Sequence, residues 1–168
     1  DGKGASALTE AMKAEDAQKP ELLKKVADEY GSSAAGTWAR IEIAQLALAQ
    51  GDADKAIADL QAVRKSTDKD NPLTPLLLFK LAGLLENKND HEQALVLYGE
   101  LSRFKGFAEG AYEAMGRIYE QQNNKDKALE MYQKYLAVGG EEKAAPAAPA
   151  AADPEREMIQ ARVNALQE

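Results

Sequence analysis

The chain has 168 residues with 28 acidic and 21 basic side chains, a formal net charge of −7, and no cysteine. The acidic excess argues against a nucleic-acid partner, because binding to phosphates requires a basic surface. The lack of cysteine excludes disulfides, thiolate metal sites and cysteine nucleophiles. Hydrophobic residues make up 45% and charged residues 29%, which predicts a folded chain, and its abundant Ala, Leu, Glu, Lys and Gln favour helices.

The N-terminal part of the chain predicts a helical hairpin. Residues Ala5–Gln18 and Pro20–Tyr30 each carry apolar side chains at helical spacing. Gly31 follows the second segment and predicts its end, because glycine readily adopts the left-handed conformation that closes a helix.

Three consecutive segments then repeat one pattern of small residues: Trp38–Lys65, Leu76–Arg103 and Gly110–Ala137. Each has a small residue in its first half and an alanine twelve positions later; the pairs are Ala44 and Ala56, Ala82 and Ala94, and Gly116 and Ala128. Small residues there let two antiparallel helices approach closely, while larger neighbours fill the layers on either side. The pattern therefore predicts three helical hairpins.

The turns between the paired helices support this reading. They lie at matching places in the three segments: Gly51-Asp52, Asn89-Asp90 and Asn123-Asn124. Glycine or asparagine can end the first helix, and Asp or Asn can cap the second. Asp90 and Gln93 also form a candidate capping box.

The spacing of the repeats predicts one insertion. Ala94 and Ala128 lie 34 residues apart, whereas Ala56 and Ala94 lie 38 apart, so we expect a short insertion near Lys69–Thr74. Thr74-Pro75 then predicts the start of the next helix, with Thr74 as its cap.

The period and the residues around the small pairs resemble the tetratricopeptide repeat superfamily. The apolar positions are Ile43, Leu81 and Met115, then Ala47, Leu85 and Tyr119, then Leu60, Tyr98 and Tyr132. The resemblance implies an all-α fold: a right-handed solenoid of antiparallel helix pairs, with three full repeats, a degenerate N-terminal hairpin and a C-terminal helix. In this family the first helices of the hairpins line a concave groove that binds partners.

The C-terminal part of the chain predicts a linker and one more helix. Residues 139–153 are rich in Ala and Pro. The prolines prevent a regular helix, and the apolar side chains are too small to form a core. Residues 154–168 carry an apolar stripe, and we expect this helix to cap the third repeat; the alternatives are that it lies in the groove or swaps onto a second molecule. The predicted organisation is a repeat domain over 1–138, a linker over 139–153 and a capping helix over 154–168.

No combination of residues predicts catalysis, since the chain lacks a Ser/His/Asp set, a nucleotide-binding glycine loop and an HExxH motif. His91 is the only histidine, and its place in a turn predicts a solvated side chain. The acidic runs Asp68–Asp70 and Glu141-Glu142 lack the spacing of a calcium loop. We therefore predict a non-enzymatic protein without a metal or another cofactor.

The resemblance also implies which residues face a partner. Carrying the family's groove positions over gives nine residues: Ile41, Gln45, Leu48, Phe79, Gly83, Glu86, Glu113, Arg117 and Glu120. Burial under the N-terminal hairpin is the alternative for Ile41 and Phe79. We expect a protein or peptide ligand, and not a chaperone C-terminus, because the carboxylate-clamp combination of Lys, Asn and Arg is missing.

Residues 20–63 resemble bacterial cell-envelope members of the superfamily, most of all the YfgM-type proteins. That resemblance implies a scaffold on the periplasmic side, held by an N-terminal membrane helix and associated with client proteins or the Sec translocon. The chain starts at Asp1, so we expect a removed upstream signal or anchor, with an ordinary domain boundary as the alternative. Two other functions stay open: an outer-membrane assembly or cell-wall lipoprotein, and a cytoplasmic adaptor that self-assembles through its C-terminal helix.

Overall fold

The computed structural model describes residues 2–142 and 153–168, with side chains up to Val138 and from Asp153 onward. Within these ranges every regular element is an α-helix, which confirms the predicted all-α class. The helices are α1 (Gly2–Lys13), α2 (Lys19–Tyr30), α3 (Ala34–Ala49), α4 (Ala53–Ser66), α5 (Thr74–Asn87), α6 (His91–Leu101), α7 (Ala108–Gln121), α8 (Lys125–Glu142) and α9 (Pro154–Leu166). They form two compact units, Asp1–Leu85 and Glu86–Glu168, whose boundary falls within α5.

In the N-terminal unit, α1 and α2 form the predicted hairpin, and α3 packs against both and against α4. Buried residues of the first three helices make one core: Ala11, Leu23, Val26, Ala27 and Ala39. The turn from α2 into α3 is tight because Gly31 has a φ of 38° and the backbone nitrogen of Gly31 would lie 2.8 Å from any Cβ at Gly36. Glycine at both places therefore lets α3 fold back onto α2.

The predicted insertion is the connection between α4 and α5, and side-chain hydrogen bonds hold it in place. The Asn71 amide Nδ2 donates to Oγ1 of the buried Thr37 at 3.1 Å and to the Ser32 carbonyl oxygen at 3.4 Å. Thr74 is the first residue of α5, and its hydroxyl donates to the carbonyl oxygen of Asp68 at 2.7 Å. The prediction that the Thr74 side chain caps α5 is therefore wrong, because its hydroxyl closes the preceding loop.

In the C-terminal unit, α7 packs against α6 and α8, and α9 packs against α8. The α8–α9 contact buries apolar and aromatic side chains: Ala128, Tyr132, Tyr135, Ile159 and Val163. The expected contact between the last helix and the third repeat is therefore present within this chain.

The small residues of the repeat pattern are all buried. Ala44, Ala56 and Ala82 in the first unit, and Ala94 and Ala128 in the second, are at most 1% exposed. At Gly116 a Cβ would lie 2.6 Å from Cδ1 of Tyr132, so the ring of Tyr132 fills the space that glycine leaves. The sequence pattern thus located positions where helices approach closely.

The predicted turns also have the expected backbone. Gly51, Asn89 and Asn123 have positive φ angles of 85°, 61° and 58°. Asp52 accepts a hydrogen bond from the backbone N–H of Lys55, Asp90 from that of Gln93, and Asn124 from that of Lys127. The side-chain amide of Gln93 donates to the carboxylate of Asp90 at 2.6 Å, so this pair is a variant of the predicted capping box.

One boundary and one exposure differ from expectation. Helix α8 runs to Glu142, four residues into the predicted linker, while residues 143–152 lie outside the described part of the chain. His91 is the first residue of α6 and is only partly exposed, and its Nδ1 atom is shielded from solvent. The predicted fully solvated His91 is therefore only partly so, because one ring nitrogen is shielded at the start of α6.

Candidate partner-binding surface

Helix α7 separates a core face from a polar face. Ala111, Ala114 and Ile118 are at most 3% exposed and lie in the core of the C-terminal unit. The predicted groove residues Glu113, Arg117 and Glu120 follow at i, i+4 and i+7 on another face, where all three stay partly exposed. One turn of helix therefore places each charge beside the next.

Arg117 joins two of the predicted carboxylates into a hydrogen-bonded cluster. Its Nη1 donates to both carboxylate oxygens of Glu113 at 2.7 Å, while Nε and Nη2 donate to Glu86 at 2.9–3.1 Å. The hydroxyl of Tyr98 donates to Oε1 of Glu86 at 2.9 Å. We call Glu86, Tyr98, Glu113 and Arg117 the Arg117 cluster. Two-pronged bonds to carboxylates hold a guanidinium in a defined orientation.

The electrostatics of this cluster follow from its contacts. Burial alone would lower the pKa of Arg117, but hydrogen bonds to Glu113 and Glu86 outweigh burial and raise that pKa above its ordinary value. Burial raises the pKa of the Tyr98 hydroxyl, and the neighbouring Glu86 carboxylate raises it further. Arg117 therefore stays charged and Tyr98 stays protonated at neutral pH.

A second cluster links α7 to the C-terminal helix. Nη1 of Arg162 donates to Oε2 of Glu120 at 3.2 Å and to the hydroxyl oxygen of Tyr132 at 3.0 Å. The bond to Tyr132 raises the pKa of Arg162, and Glu120 and Glu113 act in the same direction. We call Glu120, Tyr132 and Arg162 the Arg162 cluster. Nη2 of Arg156 also donates to the carbonyl oxygen of Leu136, so two arginines of α9 bond to the third repeat.

The two clusters are repeats of one arrangement. Glu86 and Glu120 lie 34 residues apart, as do Tyr98 and Tyr132, and each glutamate accepts from an arginine of a later helix. They differ in the tyrosine bond, since Tyr98 donates to its glutamate whereas Tyr132 accepts from its arginine, and Arg117 also bonds to a further carboxylate, that of Glu113. Helix α9 is therefore bound to the third repeat by the same residue types that bind α7.

In the N-terminal unit the predicted groove residues divide into core and surface. Ile41 is 1% exposed and belongs to the core, so the prediction that its side chain faces a partner is wrong. Gln45 and Gly83 are partly exposed. Leu48 is 37% exposed and Phe79 is 49% exposed, so both present apolar surface to solvent.

Sequence reasoning missed three contributors to these surfaces. Tyr98 and Tyr132 were assigned to the core, yet their hydroxyls reach the two charge clusters. Their 34-residue spacing from each other, equal to that of Glu86 and Glu120, was the available signal. Arg162 gave no such signal, because the Ala/Pro-rich tract separates it from the repeats and removes the period.

The described residues contain little that points to another kind of site. No group of three or more acidic or histidine side chains there could hold a metal ion. Among the described helices, none has the length and apolar character needed to cross a membrane.

A family model described as tetratricopeptide repeat-like domain matches residues 3–168, almost the whole chain. The chain belongs to this family. Its members are repeat proteins that present extended surfaces to other proteins and are typically non-enzymatic scaffolds. A protein-interaction scaffold is therefore the function class that membership assigns.

Solved structures of low identity share the fold. A tetratricopeptide repeat protein from Parabacteroides merdae is 16% identical with a TM-score of 0.71, over 99% of this chain and 61% of that one. A putative kinesin light chain with nearly identical TPR-like repeats from Podosopora anserina is 15% identical with a TM-score of 0.64, over 98% and 83%. MamA is 20% identical with a TM-score of 0.64, over 83% and 80%. No curated protein matches the chain.

Proposed function

We propose that this protein is a scaffold that binds other polypeptides through the exposed faces of the first helices of its repeats. The observation that carries the proposal is the Arg117 cluster, in which side chains that reach solvent are already held in place. The side chains of Glu113 and Arg117 are 24% and 36% exposed while bonded to each other. Groups held in this way lose little conformational freedom when a partner binds.

Apolar surface on the first helices of the N-terminal unit adds to this support. Leu48 on α3 and Phe79 on α5 are among the largest exposed apolar side chains in the described part of the chain. Large apolar side chains that stay exposed at family binding positions suit burial by a partner. Leu22 on α2 has the same 37% exposure as Leu48 but lies outside these positions, so it provides a matched control.

Photocrosslinking in cells tests this function. A photoreactive amino acid in place of Leu48 or Phe79 should give discrete protein adducts, because these side chains would lie against the partner. The same substitution at Leu22 should give none of those adducts. Identical adducts from all three positions, or no adduct from Leu48 and Phe79, would contradict the proposal.

We propose the bacterial cell envelope as the place of action, with the scaffold held on the periplasmic side by an upstream anchor and bound to client proteins or to a membrane complex such as the Sec translocon. The support is the resemblance of residues 20–63 to YfgM-type envelope proteins. Fractionation of cells that express the complete gene tests this location, and recovery in the cytosol would exclude it. A lipobox cysteine upstream would favour the outer-membrane or cell-wall lipoprotein instead.

A further inference from the structure

Helix α9 corresponds residue by residue to α7. Aligning Arg162 with Arg117 places the two positions that α9 buries, Ile159 and Val163, on Ala114 and Ile118 of α7, which are also buried. Both arginines bond to equivalent glutamates, Arg117 to Glu86 and Arg162 to Glu120, and each glutamate or its arginine also bonds to the equivalent tyrosine. Helix α9 thus occupies the place of the first helix of a fourth repeat.

The alignment also shows which residues of α9 stand where α7 packs against its second helix, α8. Met115, Gly116 and Tyr119 share one side of α7, where Gly116 contacts Tyr132 of α8 and Tyr119 packs against the cluster that contains Tyr132. Their counterparts on α9 are Gln160, Ala161 and Asn164, and all three are exposed. This face is polar or small, as expected where a stack of repeats ends.

A further exposed position on α9 is apolar and lies in the predicted partner-facing register. The counterpart of Glu113 on α9 is Met158, whose side chain is 53% exposed. A thioether forms only weak hydrogen bonds, so Met158 does not take part in the charge clusters as Glu113 does. Packing on α8 does not explain its presence either, because the buried residues of that contact are Ile159 and Val163. Methionine is a flexible apolar side chain that adapts to varied partner surfaces.

The charges of the two clusters indicate which partner chemistry fits. The two clusters contain the carboxylates of Glu86, Glu113 and Glu120 and the guanidiniums of Arg117 and Arg162, which leaves one net negative charge. The whole chain is also acidic, with a net charge of −7. A basic segment is therefore the complementary ligand, since opposite charges guide association.

We propose that α9 is part of the partner-binding surface, where Met158 contacts an apolar side chain of a polypeptide segment that also carries basic residues. The proposal rests on the proposed function, because it adds residues and a partner chemistry to the same kind of surface. It gives α9 a binding role in addition to its packing on α8.

Methionine methyl NMR tests the proposal with defined probes. The protein with carbon-13 methionine methyl groups would be titrated with three short peptides that alternate Leu with Lys, Leu with Glu, or Ser with Lys. The Met158 signal should shift to saturation with the Leu/Lys peptide and far less with the other two. Met115, which is 7% exposed, and Met12, in the N-terminal unit, provide internal references.

Two exposed apolar residues allow a matched pair of variants. Met158→Ser should weaken binding of the Leu/Lys peptide about tenfold, the change expected when one well-buried apolar contact is lost. Val96→Ser on α6, at a site 57% exposed, should leave the affinity unchanged. Both variants should keep the wild-type melting temperature, because exposed side chains contribute little to stability.

Three results would overturn the proposal. These are binding of the Leu/Lys peptide without a shift of Met158, equal binding of the Leu/Glu peptide, and a Met158 shift that depends on protein concentration without peptide, which would identify a second copy as the occupant. If Leu48 and Phe79 still crosslink, only the role of α9 is lost. If they do not, the proposed function fails as well.

Discussion

At the residue scale, the space at Gly116 determines how closely α7 approaches α8. Because a Cβ at this position would overlap the ring of Tyr132, the Gly116→Ala variant has to displace a side chain that is fully buried. We expect it to lower the free energy of unfolding by about 1–3 kcal/mol, the usual cost of overpacking, although alanine is the better helix former. Urea denaturation followed by circular dichroism measures the change.

Gly110 provides the control for this experiment on the same helix. Nothing lies within 4 Å of a Cβ built at Gly110, so Gly110→Ala should be neutral or should stabilise α7 by up to about 1 kcal/mol. Similar effects of the two substitutions would contradict the packing account.

Sequence patterns predicted single residues well where backbone geometry decides the residue type. Asn89 and Asn123 were placed in turns because few residues tolerate a positive φ, and both adopt it. The hydrogen bond between Tyr98 and Glu86 was not predictable in the same way, because it depends on side-chain directions across two helices. Ile41 shows the same limit, since its position in the repeat did not decide whether it is covered.

At the scale of elements, the contact between α8 and α9 contains a titratable tyrosine. Burial raises the pKa of Tyr135 from 10.0 to about 12, and the carboxylates of Glu155, Glu109 and Asp153 act in the same direction. The unfolded chain therefore releases this proton at lower pH than the folded chain does. The stability that the protonated Tyr135 contributes should be fully present below about pH 10 and should fall as the pH rises toward 12.

The Tyr135→Phe variant tests the role of this group, because it retains the ring and removes the hydroxyl. The loss of stability between about pH 10 and pH 12 should be smaller in the variant than in the wild type. Denaturation midpoints measured across this range give the comparison. Parallel pH profiles for the two proteins would show that Tyr135 does not contribute.

Helix boundaries were the least predictable property of the elements. The helix that ends at Glu142 extends past a Gly-Gly pair at residues 139–140, where the sequence favoured a linker. Helix propensity is a weak local preference, so the continuing backbone hydrogen bonds of a long helix can outweigh two glycines. Thr74 likewise has a residue type typical of a cap but uses its hydroxyl in the preceding loop.

At the scale of the whole molecule, α9 covers part of the core of the C-terminal unit. A chain that ends at Glu142 would lose the buried side chains Ile159 and Val163 and would expose Tyr132 and Tyr135. We expect a stability loss of roughly 3–6 kcal/mol, from about 1.5–3 kcal/mol for each buried aliphatic side chain. Thermal unfolding should show the effect, and the full chain with Met158→Ser should not.

Light scattering on the same two chains addresses self-association. If α9 exchanges between molecules, the complete chain should form an oligomer that the shortened chain lacks. The same number of chains per particle for the two proteins would exclude this role of α9 and with it the self-assembling adaptor.

The order of α3 to α8 followed from the sequence because each pair of small residues twelve positions apart marks one helical hairpin. The boundary between the two units was not predictable, since it falls inside α5, whose sequence is uniformly rich in leucine. The position of α9 was expected in outline, but its bonds to Glu120 and Tyr132 depend on how the chain returns after residue 142.

The polar outer side of α9 has a consequence for how such proteins behave when crowded. Repeats pack on one another through surfaces that every copy shares. If the side of α9 with Gln160, Ala161 and Asn164 were apolar, the first helix pair of another molecule could therefore stack on it. The exposed amide groups of Gln160 and Asn164 would lose their hydration in such a contact, so this side of α9 disfavours polymerisation into filaments.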